Sequence, residues 1–234
     1  MKTLTIVPAR AGSKRLPGKN LRPLHGKPLI CWTLEAALQA QRIDRVIVST
    51  DSEEIAEVSR KSGADVPFMR PPELAEDTTT TQDVIEHAIG ILAARGEHYD
   101  RIMLLQPTSP LRTAKHIEEA LDLFERKRAL SVISVSPAEH PPQWINRLGP
   151  EGEMNHFLEA VNRKRRSQDF AGYYQLNGAI YIADTDALLR HHSFYLDERC
   201  FGYVMSRRDG IDIDTEIDWY LAEALMGDIR DEST

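Results

Sequence analysis

The 234 residues suffice for one substantial core, and 41% hydrophobic with 28% charged side chains is an ordinary globular balance. No apolar run approaches the roughly 20 residues that a membrane-spanning helix needs, and the apolar start Leu4-Thr-Ile-Val7 is too short for a secretory signal, so a cytoplasmic chain with no membrane partner is expected. A net charge of −7 argues against a general nucleic-acid partner, yet the first 34 residues contain no acid and carry +7 against −14 for the remainder, which suits that segment to a compact polyanion.

In chain order, Leu4-Thr-Ile-Val-Pro8 reads as a buried strand and Arg45-Val-Ile-Val-Ser49 as a second. Leu29, Trp32, Thr33, Ala36 and Ala37 between them fit one face of a helix, and a strand, helix, strand run implies parallel pairing. The pattern repeats with a helix over 52–61, a strand at Val66-Pro-Phe-Met69, a helix carrying Val84, Ile85, Ala88, Ile89 and Leu92, and the strand Arg101-Ile-Met-Leu-Leu105. Ile117, Ala120, Leu121 and Phe124 then mark a helix leading to the strand Ser131-Val-Ile-Ser-Val135. Periodicity weakens from Pro137 to about Gly172, a polar stretch too long for an ordinary connection, which reads as an arm over 137–172 inserted in a single domain, 1–234. Regularity returns with strands at Ala179-Ile-Tyr-Ile182 and Tyr203-Val-Met205 and a helix from Glu216 to Met226. The expected fold is α/β, an open, mostly parallel sheet with helices on both faces. Cys31 and Cys200 form no Cys-x-x-Cys pair and are expected to be reduced core residues; the eight histidines show no metal-ligand spacing, and His191-His192 reads as surface.

Ligands of open α/β sheets bind beyond the carboxyl ends of the strands, so the segment after the first strand is the first place to look. There Gly12 and Gly18 allow close backbone approach, Ser13 and peptide N–H groups can donate, and Arg10, Lys14 and Lys19 supply cations for phosphates. The spacing is neither that of a P-loop nor that of a dinucleotide fingerprint; phosphate binding is the expectation, with a solvated basic loop as the alternative. In Gly210-Ile-Asp-Ile-Asp-Thr-Glu-Ile-Asp218, an extended backbone sets Asp212 and Asp214 on one side and Ile211 and Ile213 on the other. Two adjacent carboxylates repel unless a cation joins them, which suggests Mg²⁺ shared with phosphates; a capping box of Thr215 and Asp218 at the last helix is compatible with that. Gln106, Thr108 and Ser109 follow another strand and can bond a polar ligand or simply form a turn before a Thr113 cap. Asp77-Thr-Thr-Thr-Thr81 reads as a helix start whose hydroxyls could also meet a nucleotide.

Three blocks together resemble the acylneuraminate cytidylyltransferases, the CMP-sialic acid synthetases and their legionaminate relatives. They are Ile6-Val-Pro-Ala-Arg10 running on to Lys19-Asn20, Leu105-Gln-Pro-Thr-Ser-Pro-Leu-Arg112, and Asn177-Gly-Ala-Ile-Tyr181 followed by Asp212-Ile-Asp-Thr215. With Ser49-Thr-Asp-Ser52 and Leu74-Ala-x-Asp77 between them, the resemblance extends in order over almost the whole chain. It implies a Rossmann-like, nucleotide-diphospho-sugar transferase-like fold and transfer of CMP from CTP to a nonulosonic acid, with an eight-carbon keto sugar acid as the alternative acceptor. A non-catalytic nucleotide-binding regulator is the alternative of another class. The resemblance assigns the nucleotide to Arg10, Ala11, Gly12, Ser13, Lys19, Asn20, Arg70 and a hydroxyl among Thr79, Thr80 and Thr81, with Arg10, Lys19 and Asp212 catalytic and Mg²⁺ on Asp212 and Asp214. It assigns the sugar to Gln106, Tyr181, Phe194 and Tyr195, and implies a homodimer whose arm carries a basic residue to the partner's sugar carboxylate. Sialate-type enzymes have an arginine where this chain has Ser167 and a lysine where it has Trp144, so Arg165 or Arg166 takes the carboxylate role, and Trp144 points to a legionaminate-type, diacetylated 6-deoxy sugar.

Overall fold

Alternation along the first strand sets the architecture. In the computed structural model, Leu4 and Ile6 of β1 (Thr3–Pro8) face one helical layer, while Val7 faces the other. The structure describes residues 1–231 apart from Ser13, Arg163, Ser167, Gln168 and Ala171, and without the side chains of Ala160 and residues 228–231. A two-stranded ribbon of β2 (Pro23–Leu24) and β3 (Lys27–Pro28) precedes α1 (Leu29–Gln39). There follow β4 (Arg45–Ser49), α2 (Glu53–Lys61), α3 (Thr81–Ala94), β5 (Arg101–Leu104), α4 (Ala114–Arg126) and β6 (Ser131–Pro137). The chain closes with β7 (Tyr174–Asp184), α5 (Thr185–His191), β8 (Cys200–Val204) and α6 (Glu216–Asp231).

The main sheet has the order β4-β1-β5-β7-β6-β8. α1, α2 and α4 pack on one face through Ile30, Leu34, Ile55, Ile117 and Leu121, and α3 and α5 on the other through Ile85, Ile89, Leu92 and Leu188. A third cluster, with Leu16, Leu24, Ile213, Trp219 and Met226, anchors α6 over the basic N-terminal segment. β1, β4, β5, β6 and β8 run parallel, and β7 is antiparallel to both neighbours, so the sheet is mixed as well as mostly parallel. The carboxyl ends Pro8, Ser49, Leu104 and Pro137 therefore share one edge, and β7 starts from that edge, since Pro137 pairs with Tyr174. The segment from 138 to 173 thus emerges beside the expected site, with only two short 3₁₀ turns among its described residues, Pro142–Trp144 and Ala160–Asn162.

Three local expectations need correction. Val66 to Met69 is not a strand: one bridge, Ile47 to Asp65, extends the sheet beside β4, and Pro67 has no N–H to continue the ladder. The strand expected over 179–182 begins five residues earlier. α5, capped by Asp184 accepting from Ala187 N at 3.0 Å, was not foreseen, because seven residues are too few to show a helical period.

Candidate active site

The described residues around the carboxyl edge enclose a cleft of about 520 Å³. Its walls bring together Arg10, Lys14, Arg15, Lys19 and Asn20 from the N-terminal segment, Arg70, Thr79 and Thr80 from the loop before α3, with Thr81 at the first position of that helix, and Gln106, Thr108 and Asp214 from beyond β5 and before α6. The basic segment folds back on itself because Gly18 adopts φ +67, a conformation unfavourable to other residues, and Leu21 and Arg22 N–H groups bond the Gly18 carbonyl. Gly12 has neither a positive φ nor a neighbour near a would-be Cβ, so its backbone freedom is not required in this conformation. Asn20 is buried and donates from Nδ2 to the Arg10 carbonyl at 3.1 Å, which fixes the root of Arg10. Ala11 N donates to Asp51 Oδ1 at 3.0 Å, tying the same loop to the end of β4. Ala11 and Gly12 line a smaller depression, of about 300 Å³, on the far side of Arg10 and Lys14. Ser13 lies outside the described residues.

Every cation of the cleft floor has a defined partner. Arg10 and Lys14 hold the two oxygens of Asp77 at 3.0 and 2.6 Å, and Arg15 and Lys19 hold those of Asp214 at 2.8 and 3.2 Å. Lys19 Nζ also donates to the Ile213 carbonyl at 2.9 Å, so the phosphate-type cations and the carboxylate strand are already joined. Arg70 is buried, donates to Ser49 through Nε at 3.1 Å and through Nη2 to its carbonyl, and is drawn down to about 10 by burial. Of the threonines, Thr80 forms a capping box with Asp83 at the start of α3, and Thr79 donates to the Glu73 carbonyl at 3.1 Å. Thr113 with His116 and Thr215 with Asp218 likewise cap α4 and α6.

Asp212 and Asp214 sit in contrasting environments. Ile211 and Ile213 are buried, as alternation requires, and Ile213 N donates to the Thr108 carbonyl at 2.9 Å, pinning the extended segment to the turn after β5. Asp214 is half exposed and ion-paired. Burial raises the Asp212 carboxyl above the usual carboxylate range and the Asp214 charge adds to the rise, while the Thr108 hydroxyl and, after it, Lys19 oppose it. Thr108 Oγ1 and Asp212 Oδ1 are buried close to each other, and neither is in a well-aligned hydrogen bond among the described residues, so the hydroxyl only partly answers the carboxylate. A buried carboxylate oxygen answered only in part by one hydroxyl, beside a second carboxylate, fits an oxygen-seeking divalent cation such as Mg²⁺.

The aromatic group expected to meet a sugar lies beyond Asp212. Tyr181 packs edge-on against Phe194 and Tyr195 at centroid distances of 5.6 and 6.3 Å, and burial first, with Tyr195 and Asp212 after it, raises its phenol. Gln106 connects the two regions, since its Oε1 lies 2.9 Å from where a Cβ on Gly178 would be, and Asp212 Oδ2 lies 3.5 Å from the same point. Arg165 and Arg166 are not brought to this cleft: Arg166 pairs with Asp169 at 3.1 Å, and Arg165 stacks 4.2 Å from the Phe170 ring, within the arm. Sequence reasoning gave Asp77 and Arg15 no part as partners of the site's charges, because ion pairs across 67 and 199 residues leave no local signal.

Residues 4–219 match the family described as cytidylyltransferase. The chain belongs to this family. It is 41% identical to the CMP-N,N'-diacetyllegionaminic acid synthase of Legionella pneumophila, covering 97% of both chains. It is 36% identical to the N-acylneuraminate cytidylyltransferase of Escherichia coli over 94% of this chain but 51% of that protein, so it spans about half of that relative. Among solved structures it superposes on the CMP:2-keto-3-deoxy-manno-octonic acid synthetase complexed with CTP with a TM-score of 0.70, covering 97% and 99% of the two chains, and at 21% identity this shows a common fold. As a cytidylyltransferase, the chain has the cation-lined cleft that a nucleoside triphosphate requires, at the sheet edge where α/β folds place their ligands.

Proposed function

We propose that this cytidylyltransferase joins CTP to a nonulosonic acid of the sialic or legionaminic type, releasing pyrophosphate. The observation that carries the reading is the continuous path from Arg10, Lys19 and Asn20 in the cleft, through Gln106 and Asp212, to the Tyr181, Phe194 and Tyr195 aromatic group. Arg10 and Lys19 bind and neutralise the triphosphate, Arg70 supports the nucleotide end, and Gln106 and Tyr181 orient the acid so that its 2-hydroxyl faces the α-phosphorus. The new P–O bond forms in line as the bond to pyrophosphate breaks, and the hydroxyl proton passes to solvent. Such a transfer depends on positioning and on fixed charge more than on covalent help from the protein. Asp212 and Asp214 would hold Mg²⁺, which when bound adds positive charge at the phosphate oxygens. Among the described residues no group of three or more His, Cys, Asp or Glu could hold a metal, so the other ligands would be phosphate and water oxygens, as is usual for Mg²⁺.

The relatives named for nine-carbon acids are 36–41% identical to this chain, whereas the eight-carbon synthetase shares the fold at 21%, which favours the nine-carbon acceptor. A regulator that only bound nucleotide would have no use for a buried Asp212 carboxylate beside a second carboxylate. Trp144, T-shaped against Phe170 at 5.9 Å, belongs to an arm suited to a legionaminate-type acid, and the protein acts as a homodimer with the arm reaching its partner's site. No described helix is long and apolar enough to cross a membrane. The test is a pyrophosphate-release assay with CTP, Mg²⁺ and a panel of N-acetylneuraminic, legionaminic and eight-carbon keto sugar acids. Release with a nine-carbon acid is expected; release with the eight-carbon acid alone, or with none, would overturn the assignment.

A further inference from the structure

Arg112 is 1% exposed and no carboxylate among the described residues answers its charge; burial alone draws the guanidinium down to about 9. Nη1 donates to the carbonyls of Gln106 at 3.2 Å and Ala179 at 2.8 Å, while Nε and Nη2 are buried without partners among the described residues. An unpaired buried cation is unfavourable, and an apolar side chain of similar volume would pack there more stably, so the use of Arg112 has to lie in the bonds Nη1 makes. The β5–β7 ladder ends at the pair Leu104 and Tyr181, and the same register carried two residues further sets Gln106 opposite Ala179. At that point the guanidinium spans the two strands in place of a rung.

The consequence falls on Gln106. Thr33 Oγ1 donates to the same Gln106 carbonyl at 3.3 Å, so the main chain there is held from two sides. Gly178, next to Ala179, has φ +73, and its missing Cβ leaves the space against which the Gln106 amide rests beside Asp212. We propose that Arg112 is a positioning residue for the acceptor half of the site, setting the Gln106 amide against Gly178 and Asp212 by bridging the Gln106 and Ala179 carbonyls. This rests on the acceptor being a nonulosonic acid bound beside Gln106. The phosphate-holding cations hang on other segments, residues 10–20 and Arg70, so the role of Arg112 separates the two substrates.

Arg112→Lys keeps a charge but lacks the planar fork that spans two carbonyls. KM for CTP and for the acid should be measured in the wild type, in Arg112→Lys and in Gly178→Ala, together with thermal unfolding. The acid KM is expected to rise roughly tenfold or more in both variants while the CTP KM stays within about twofold, the size of effect that a small misplacement of a substrate-orienting group produces. Equal changes in both KM values, or a lower Tm with both unchanged, would reduce Arg112 to packing and overturn the proposal. If Arg112→Lys does not fold, Gly178→Ala decides, because its methyl group displaces the Gln106 amide from the opposite side; an unchanged acid KM would refute the proposed seat. A wild type that turns over no acid in the panel fails before any substitution is made, which marks failure of the substrate reading itself.

Discussion

At the scale of single residues, Asp212 and Asp214 carry the same charge two positions apart and are expected to respond differently to mutation. Asp212→Asn and Asp214→Asn should each lower turnover by about 100-fold, the loss typical of one electrostatic stabiliser. Their effects on the apo protein diverge. A folded-state carboxyl raised above its unfolded value gives stability that is present at low pH and lost as pH rises through the folded value, so the ionised Asp212 is a penalty at neutral pH. Asp212→Asn should therefore raise Tm at pH 7, with the gain shrinking as pH falls through the carboxylate range. Asp214→Asn removes two partly exposed ion pairs and should change Tm little. Thermal unfolding of both variants at several pH values checks this, and a destabilised Asp212→Asn would mean the carboxylate has a stabilising partner in solution. The pair itself was legible from the alternation of Ile and Asp. Its asymmetry was not, because Lys19, Arg15 and Thr108 come from segments distant in sequence.

At the scale of elements, the apolar periods of α1, α3 and α4 and the β-branched runs of β1, β4 and β6 were readable because each buries one definite face. Two features were not readable: the direction of β7 and its irregularity against β6. Between the pairs Ile133 with Tyr181 and Val135 with Leu176, one residue of β6 stands against four of β7, and those four are Asn177-Gly-Ala-Ile180. A buried polar network fills the gap. Ser134 Oγ donates to Asn177 Oδ1 at 2.6 Å and accepts from Ile180 N at 2.8 Å, while Asn177 Nδ2 donates to Ser136 Oγ at 2.9 Å. The motif was therefore visible as letters while its cause, a bulge that brings Gly178 up to Gln106 and Asp212, needed the pairing of two strands about 45 residues apart. Ser134→Ala would leave Ile180 N and one bond of Asn177 unsatisfied in the interior, at a cost of about 1–3 kcal/mol. Urea unfolding should show that loss in the midpoint with an unchanged m-value. A midpoint equal to that of the wild type would mean that the bulge is held by the rest of the sheet.

For the whole molecule, the segment between β6 and β7 poses a packing problem that one chain leaves open. Ile145, Leu148, Met154 and Val161 on this segment are 59–70% exposed, and Tyr174 and Leu176 at the start of β7 are exposed as well, more apolar surface than isolated exposed residues would leave. The segment leaves the sheet at the same edge as the cleft, so a second copy covering it would stand next to the site. Arg165 stacks on Phe170 and donates through Nη2 to the Asp169 carbonyl, and Arg166 pairs with the Asp169 carboxylate, so both arginines are held within the arm of their own chain. The proposed homodimer, in which this arm supplies a basic side chain to the neighbouring acceptor site, would cover that apolar surface and give the arm arginines a substrate to meet. In that arrangement Arg165→Ala or Arg166→Ala raises the KM for the sugar acid far more than the KM for CTP, since only the acid loses a contact. Mixing the arm variant with Asp212→Asn should then restore part of the activity, because one site of each mixed dimer combines an intact arm with intact carboxylates. Complementation has no explanation in a self-sufficient monomer, so a monomer by light scattering at assay concentration, or silence in the mixture despite confirmed subunit exchange, would exclude the shared site.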